Sequence, residues 1–510
     1  MGVPRLSRAV LALAVCGAFA ACQAANDALH PAVVAAHIQA LRPTPGSGER
    51  PPTFDRGDKI ETFDSADGFF RVHFTRAGRH AVPDDDRDRD GVPDYVSTIA
   101  SDYEEVLAFY RGLGYRDPLR DAEVAFDNGG DDRFDVYLLD FPTSADGEFR
   151  TDECTSSGCS GHMLLENDFA GRRYASPQLG ARLVSSHEFF HAVQHAYLPD
   201  PSAVLGEGTA VWASEAFDRT AGDLETQAPG YLERPDRSLG EDSTGPVDPF
   251  SYGSALFFEY LDEAVERALL CSLWERLGAG PASASWISAL DAVLRDAYSS
   301  SLGAEFAKFA EWNLYTAGRA DPAHGYAQGE EFSSVKERAI EAGYADEDVR
   351  VFPLAARYYE LTAAQASPLV ASAGLSGEDE IDGIELLVAL EHDGKIVELQ
   401  KSSGEALLQV QLDAEEGDTL HALLVNTRLE GESLKPDLCV GTPQQVARCR
   451  AGDSAADAGA AQTGAKTGKS DDGGCAVMRV RAGEPLALPP LAALATLAGV
   501  RKRRRRTRCA

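Results

Sequence analysis

The feature that most constrains the fold of this chain is the pentapeptide HEFFH at residues 187–191. Residues four apart lie on the same face of an α-helix, so the two imidazoles can reach one ion if this segment is helical. The surrounding apolar residues recur at intervals of three and four, which predicts a helix over Ala181–Tyr197. In that helix, His187 and His191 are predicted to bind Zn²⁺, with Glu188 as the general base that deprotonates a metal-bound water.

The third zinc ligand has to come from elsewhere in the chain. His195 continues the face of the two histidines, but a straight helix spreads the three rings over about 12 Å, so His195 is expected to support a ligand from behind or to lie at the rim of the site. The segment GEGTAVWASE at residues 206–215 supplies two carboxylates, Glu207 and Glu215. Both stand at a sensible distance downstream, and a carboxylate that is not a ligand can still orient one.

These segments resemble those of gluzincin metallopeptidases. In that class an N/G-E-G-x-A pattern supplies the third ligand from the first turn of a helix, and Glu207 matches this glutamate. Glu215 is then an orienting or a surface carboxylate. The segment Phe250–Leu261 resembles the one in which a tyrosine opens an apolar helix behind the metal. By that resemblance Tyr252 would donate its phenol to the oxyanion formed during peptide hydrolysis, the alternative being an aromatic residue packed on the core.

Over residues 69–326 the chain resembles a family of exported metalloproteases, common in myxobacteria, that carry HEFFHA-type zinc helices. The resemblance implies an α+β fold: a gluzincin-like zinc metallopeptidase domain, mostly helical in its C-terminal part. It implies peptidase activity on a protein or peptide substrate, and it does not define that substrate. The matching segments are DGVPDYV at 90–96, FDVYL at 134–138, EGTAVW at 207–212 and WNLYTAG at 312–318.

A second cation site is predicted in the acidic run at residues 84–94, which follows the spacing D-x-D-x-D-G-x-x-D. Gly91 permits a sharp turn, and alternating carboxylates can wrap oxygen ligands around Ca²⁺. The run is not a full EF-hand, because Ser97 stands where a bidentate glutamate is required. The alternative is a solvated acidic turn. The predicted calcium ligands are Asp86, Asp88, Asp90 and Asp94.

Both ends of the chain carry sequences typical of export. Arg5 and Arg8 precede the apolar run Ala9–Ala21, the layout of a secretory signal peptide, and Cys22 could alternatively be lipidated. The C-terminal segment, residues 475–510, begins with the cysteine of a Gly474-Cys475 pair and continues with a short apolar stretch and an arginine cluster. It resembles the MYXO-CTERM sorting tail of exported myxobacterial proteins, the alternative being a basic disordered tail. Any membrane association is expected only through this terminal segment.

Beyond Pro353 the pattern changes from helical to β. Short apolar runs alternate with Asp-Gly, Ser-Gly and Glu-Gly turns, which predicts a small all-β sandwich. The runs are Ile384–Leu390, Ile396–Gln400, Leu407–Leu412 and Leu420–Asn426. The predicted organisation is a signal peptide (1–22), a linker or short pro-segment (23–56), the metallopeptidase domain (57–345), the β-sandwich (352–450), a flexible linker (451–474) and a sorting or transmembrane tail (475–510).

The cysteines and the charge agree with an exported protein. Cys154 and Cys159 flank a short Ser/Gly loop, and Cys439 and Cys449 lie ten residues apart, so each pair is a predicted local disulfide. Cys271 lies in an apolar helical segment and is expected to be a buried thiol. The formal net charge of −33 would repel a phosphate backbone, which argues against nucleic-acid binding.

The sequence therefore predicts a zinc peptidase at the cell surface or outer membrane, or one secreted after tail processing. Its expected partners are a protein or peptide substrate and the export and sorting machinery. The alternative is a non-catalytic adhesion or envelope protein that retains the metallopeptidase scaffold. Retention of Glu188 beside both histidines favours the enzyme, because zinc binding alone does not require that carboxylate.

Overall fold

The computed structural model describes residues 53–120, 131–142, 145–155, 158–241, 245, 248–281, 283–346, 349–375 and 382–452. The expected signal peptide, Cys22 and the sorting tail lie outside the described residues, as do most of the expected pro-segment and linker. The described chain is α+β, as the sequence predicts.

A mixed five-stranded sheet opens the described chain. Its strands are β1 (Glu61–Asp64), β2 (Phe70–Phe74), β3 (Phe134–Leu139), β4 (Gly147–Thr155) and β5 (Gly158–Glu166). Their order is β1-β2-β3-β5-β4, with β2, β3 and β5 parallel and the outer two strands antiparallel to their neighbours. Every residue of β3 is buried, because apolar clusters cover both faces of the sheet. Among the described strands, β4 lies at one edge of this sheet.

Among the described residues, the first helix lies between β2 and β3, and the next nine form most of the chain between residues 177 and 312. The helices are α1 (Asp94–Gly112), α2 (Pro177–His195), α3 (Ala203–Phe217), α4 (Asp223–Gln227), α5 (Pro229–Leu232), α6 (Pro249–Gly253), α7 (Ala255–Leu261), α8 (Ala268–Ala279), α9 (Trp286–Tyr298) and α10 (Leu302–Trp312). A π-helical turn, Asp262–Glu266, joins α7 to α8. Short 3₁₀ turns occupy Arg219–Ala221, Ala317–Arg319 and Gly329–Glu331.

The C-terminal part is a sandwich of two sheets. Its elements are β6 (Arg338–Ala339), β7 (Tyr344–Asp346), β8 (Ala355–Thr362), β9 (Ser367–Gly374), β10 (Ile384–His392), β11 (Lys395–Ser403), β12 (Leu407–Ala414), β13 (Thr419–Asn426), β14 (Asp437–Gly441) and α11 (Pro443–Arg450). One sheet has the order β11-β10-β13-β8-β6 and the other β12-β9-β14-β7. Because β6 and β7 belong to these sheets, the sandwich begins before the expected start at residue 352.

The central strands of the five-stranded sheet of the sandwich are buried on both faces. Along β10, Leu386 and Val388 pack between the two sheets, whereas Leu387 and Ala389 join the apolar core of the helical part. The hydroxyl of Tyr358 in β8 also donates to the carbonyl of Ala310 at 2.8 Å. One continuous core therefore joins the sandwich to the helices, which explains why β10 reads as an almost unbroken apolar run.

Both predicted disulfides are present: Cys154–Cys159 joins β4 to β5, and Cys439–Cys449 joins β14 to α11. Cys271 is a buried thiol in α8. None of the described helices has the length and apolar character needed to cross a membrane.

Candidate metal centre

The α2 helix carries HEFFH, and its two phenylalanines fix which face of the helix reaches the site. Ser176 caps the helix by accepting from the Leu179 N–H at 3.1 Å, and Pro177 occupies the first turn. The ring of Phe189 packs edge-on against Phe70 and Tyr103 in the core between the sheet and α1. With the phenylalanine face held in the core, the histidine face of α2 is turned towards α3.

The third candidate ligand is Glu207, the fifth residue of α3, and Gly208 beside it allows this part of α3 to approach α7. A Cβ at Gly208 would lie 2.3 Å from Ser254 Oγ and 2.7 Å from Phe258 Cε2, distances that no side chain tolerates without movement. The Ser254 hydroxyl also contacts the Val204 carbonyl at 3.0 Å. Close packing of α3 on α7 thus sets the position of Glu207.

His187, His191 and Glu207 converge on one point. Glu207 Oε2 lies 3.4 Å from His187 Nε2 and 3.6 Å from His191 Nε2, and the three ligand atoms lie within 4.8 Å of one another. Ligand atoms about 2.0–2.1 Å from a tetrahedral ion are separated by about 3.4 Å, so these distances fit one zinc ion. Within the described part of the chain, Glu207 Oε2 is buried and receives no hydrogen bond. An orphaned carboxylate oxygen between two imidazoles fits a bound cation.

The charges of this site perturb one another strongly. Burial opposes protonation of His187, but the nearby carboxylates of Asp223 and Glu207 outweigh it and raise the pKa of His187 well above its usual value. The same balance of burial against Glu207 raises the pKa of His191. Burial favours the neutral form of Glu207, yet the two histidines hold its pKa well below the usual range. The site therefore keeps a carboxylate charged in a buried place, which is costly unless cations are close.

Glu188 and Tyr252 border the same point. The Phe149 N–H of β4 donates to Glu188 Oε2 at 3.2 Å, which ties the glutamate to the edge strand. Gly147 permits this approach, since a Cβ there would lie 2.5 Å from Val184 Cγ1. The Tyr252 ring stacks on the His187 ring with centroids 6.0 Å apart. Burial and the charges of Glu207 and Glu188 raise the pKa of Tyr252, so its phenol keeps its proton at neutral pH.

The remaining predicted residues lie away from this point. Glu215 is fully buried, which corrects its interpretation as a surface carboxylate, and it is bonded to the Leu224 N–H and to Gln328 at 3.4 Å each. Burial, then the charge of Glu225, raises the pKa of Glu215 to about 7. His195 packs on the Phe149 ring, and burial, with His191 nearby, lowers its pKa to about 4.

Two further residues that support the site lie outside the HEFFH motif. Asp223 Oδ2 lies 3.9 Å from His187 Nδ1 and accepts from the Ser214 hydroxyl at 2.7 Å. Gln194 Oε1 lies 2.9 Å from His191 Nδ1. Of these two residues, only Gln194 could have been predicted from the sequence, because it stands three residues after His191 on the same face of the helix.

The acidic loop before α1 brings three of its four predicted ligands together. Carboxylate oxygens of Asp86, Asp88 and Asp94 lie within 4.8 Å of one another, and Asp90 is not in that group. Asp90 Oδ1 instead accepts from the Val92 N–H at 2.8 Å. Asp86 Oδ1 is buried without a hydrogen-bond partner among the described residues. Arg87 donates to Asp94 at 2.7 Å and so neutralises part of the charge.

Comparisons with known proteins do not assign this chain to a family. No family model matches it, and no curated protein matches it. Among solved structures it is similar to the pre-peptidase C-terminal domain of a collagenase from Bacillus anthracis (13% identity over 21% of this chain and 94% of that one, TM-score 0.17). It is also similar to PliG, a periplasmic inhibitor of g-type lysozyme from Aeromonas hydrophila (11% identity over 21% and 96%, TM-score 0.15). A β-glucosidase from Paenibacillus barengoltzii gives 13% identity over 24% and 12%, with a TM-score of 0.12. At these scores the likenesses carry no argument about function.

Proposed function

We propose that the chain is an exported zinc-dependent peptidase with a gluzincin-like catalytic domain. The observation that carries the proposal is the convergence of His187, His191 and Glu207, with the buried Glu207 Oε2 lacking a hydrogen bond within the described residues. Two imidazoles and one carboxylate are the donor set of a catalytic zinc site that keeps an open position. When bound there, zinc would lower the pKa of a water molecule and polarise a substrate carbonyl.

The surrounding side chains fit peptide-bond hydrolysis. Glu188 would accept the proton of the attacking water and pass it to the leaving nitrogen. Tyr252, which stays protonated, would donate a hydrogen bond from its hydroxyl group to the oxyanion that develops on the scissile carbonyl oxygen. Edge strand β4, tied to Glu188 through Phe149, would pair with an extended peptide and bring its carbonyl to the site.

Two predicted features complete the proposal. The two disulfides support work in an oxidising compartment outside the cytoplasm. Asp86, Asp88 and Asp94 would hold a structural Ca²⁺, which neutralises like charges that otherwise repel one another across the loop.

The test combines metal analysis with one conservative variant. The purified protein is expected to contain one zinc, seen by anomalous scattering at the zinc edge, and to degrade casein in a chelator-sensitive way. Glu188→Gln is expected to retain zinc and lose at least about 100-fold in peptide hydrolysis, because only the proton acceptor is removed. As the matched control, Glu215→Gln should keep both zinc and activity.

Each result separates the alternatives. Absence of zinc from wild type, or full activity in Glu188→Gln, refutes the proposed mechanism. A zinc-loaded protein that cleaves no peptide favours the non-catalytic adhesion or envelope protein that retains this scaffold.

A further inference from the structure

We propose that Gln194 is a positioning residue that fixes the tautomer of His191 and holds the two ligand-bearing helices together. The inference rests on the proposed zinc site. Gln194 is fully buried at the contact of α2 with α3, and its side chain bonds to one ligand histidine and to the turn that carries the third ligand. No sequence motif assigns it a role.

The orientation of the Gln194 amide follows from its neighbours. Its Nε2 lies 2.8 Å from the Gly206 carbonyl oxygen and 3.0 Å from Thr209 Oγ1. A carbonyl can only accept, and the single hydroxyl proton of Thr209 is donated to the Leu205 carbonyl at 2.7 Å. Both neighbours therefore need a donor, which requires the NH₂ group on this side of the amide.

With the NH₂ group so placed, Gln194 Oε1 is the atom that faces His191 Nδ1 at 2.9 Å. An amide oxygen can only accept, so Nδ1 must carry a proton. A neutral imidazole has one such proton, which leaves Nε2 with a bare lone pair pointing to Glu207 Oε2, 3.6 Å away. A zinc ligand requires this tautomer, so Gln194 selects the metal-binding form of the neutral ring.

The Gln194 amide also fixes the distance between α2 and the part of α3 that carries Glu207. Gly206 directly precedes Glu207, so a bond from Gln194 to its carbonyl holds the third ligand against α2. His187 has a different neighbour: its Nδ1 faces a carboxyl oxygen of Asp223, 3.9 Å away, rather than an amide. The chain of bonds from Leu205 through Thr209 and Gln194 to His191 thus acts on one ligand ring and one ligand turn.

The test measures metal affinity rather than hydrolysis. Gln194→Met keeps the volume but removes both polar atoms, and zinc affinity, measured by competition with a chromophoric chelator, is expected to fall 10- to 100-fold. The visible spectrum of the Co²⁺-loaded variant should also shift, because the His191 ring is no longer held. Val193→Ala is the matched control: it creates a core cavity one residue away and should leave zinc affinity within about twofold of wild type.

A second pair of variants guards against misfolding of Gln194→Met. Thr209→Val is isosteric and removes the oxygen that orients the amide, so a loss of about 3- to 10-fold in zinc affinity is expected, with recovery in Thr209→Ser. Unchanged zinc affinity in both Gln194→Met and Thr209→Val, or an equal loss in Val193→Ala, overturns the role of Gln194. Wild type that binds zinc tightly and cleaves no peptide refutes the proposed activity alone, while wild type that binds no zinc overturns both proposals.

Discussion

Glu215 gives the sharpest test of the energetics, because the effect of its substitution on stability should depend on pH. Its carboxyl is fully buried in α3, and burial together with Glu225 raises its pKa from the usual 4.5 to about 7. A carboxyl pKa that is higher in the folded state than in the unfolded state means that the native protein favours the neutral form of Glu215. Glu215 therefore contributes no penalty below about pH 4.5, and stability falls as pH rises towards 7.

The size of the effect follows from the shift. A difference of about 2.5 pKa units at 1.36 kcal/mol each gives about 3 kcal/mol of stability lost between pH 4.5 and pH 8. Glu215→Gln removes this loss, since a neutral amide keeps the shape and can still accept from the Leu224 N–H. The variant should match wild type or be slightly less stable at pH 5, and be more stable by about 2–3 kcal/mol at pH 8.

Urea unfolding of zinc-loaded protein at pH 5 and pH 8 measures this difference directly. Glu416→Gln, a change at an exposed glutamate, serves as the control and should show no pH-dependent difference. A Glu215→Gln effect that is the same at both pH values would refute the reasoning.

Three further predictions test the packing and the second site. Gly208→Ala pushes α3 away from α7, so it should lower the free energy of unfolding by about 1–3 kcal/mol and the zinc affinity at least tenfold. Gly112→Ala is the control, because a Cβ at Gly112 meets no atom within 4 Å, and urea unfolding should show it to be neutral or stabilising. Ca²⁺ should raise the melting temperature of wild type but not of Asp94→Asn in calorimetry; equal shifts would exclude the loop as the site. Replacing both Cys154 and Cys159 with serine should cost about 2 kcal/mol by urea unfolding, and an unchanged midpoint would count against the disulfide.

Local patterns predicted much of the fold. The predicted helix at Ala181–Tyr197 corresponds to α2, which begins at Pro177, four residues before the predicted start, and the predicted run Ile384–Leu390 lies within β10. These elements follow from side-chain periodicity and capping, which act over a few residues. The β runs after residue 353 were predicted for the same reason. The burial of β10 and β13 on both faces was not predicted, because it depends on the helical part packing against these two strands.

The candidate site also has one part that local sequence patterns predict and another part that depends on tertiary packing. The spacing of HEFFH alone places His187, Glu188 and His191 within one turn of a helix, since that relation is fixed by 3.6 residues per turn. Glu207 and Glu215 are eight residues apart, so their side chains leave α3 in directions about 80° apart. Residue type and spacing alone left both glutamates as candidates for the third zinc ligand.

Tertiary packing decided between these carboxylates. The contact of Gly208 with α7 turns Glu207 towards the histidines and leaves Glu215 buried beside Leu224. The amide of Gln194 and the carboxylate of Asp223 reach the imidazoles through the same packing. Sequence determined which chemistry the chain can carry, because ligand type and helical spacing are local. Only the tertiary structure decided which residues complete the site, because that depends on contacts between segments far apart in the chain.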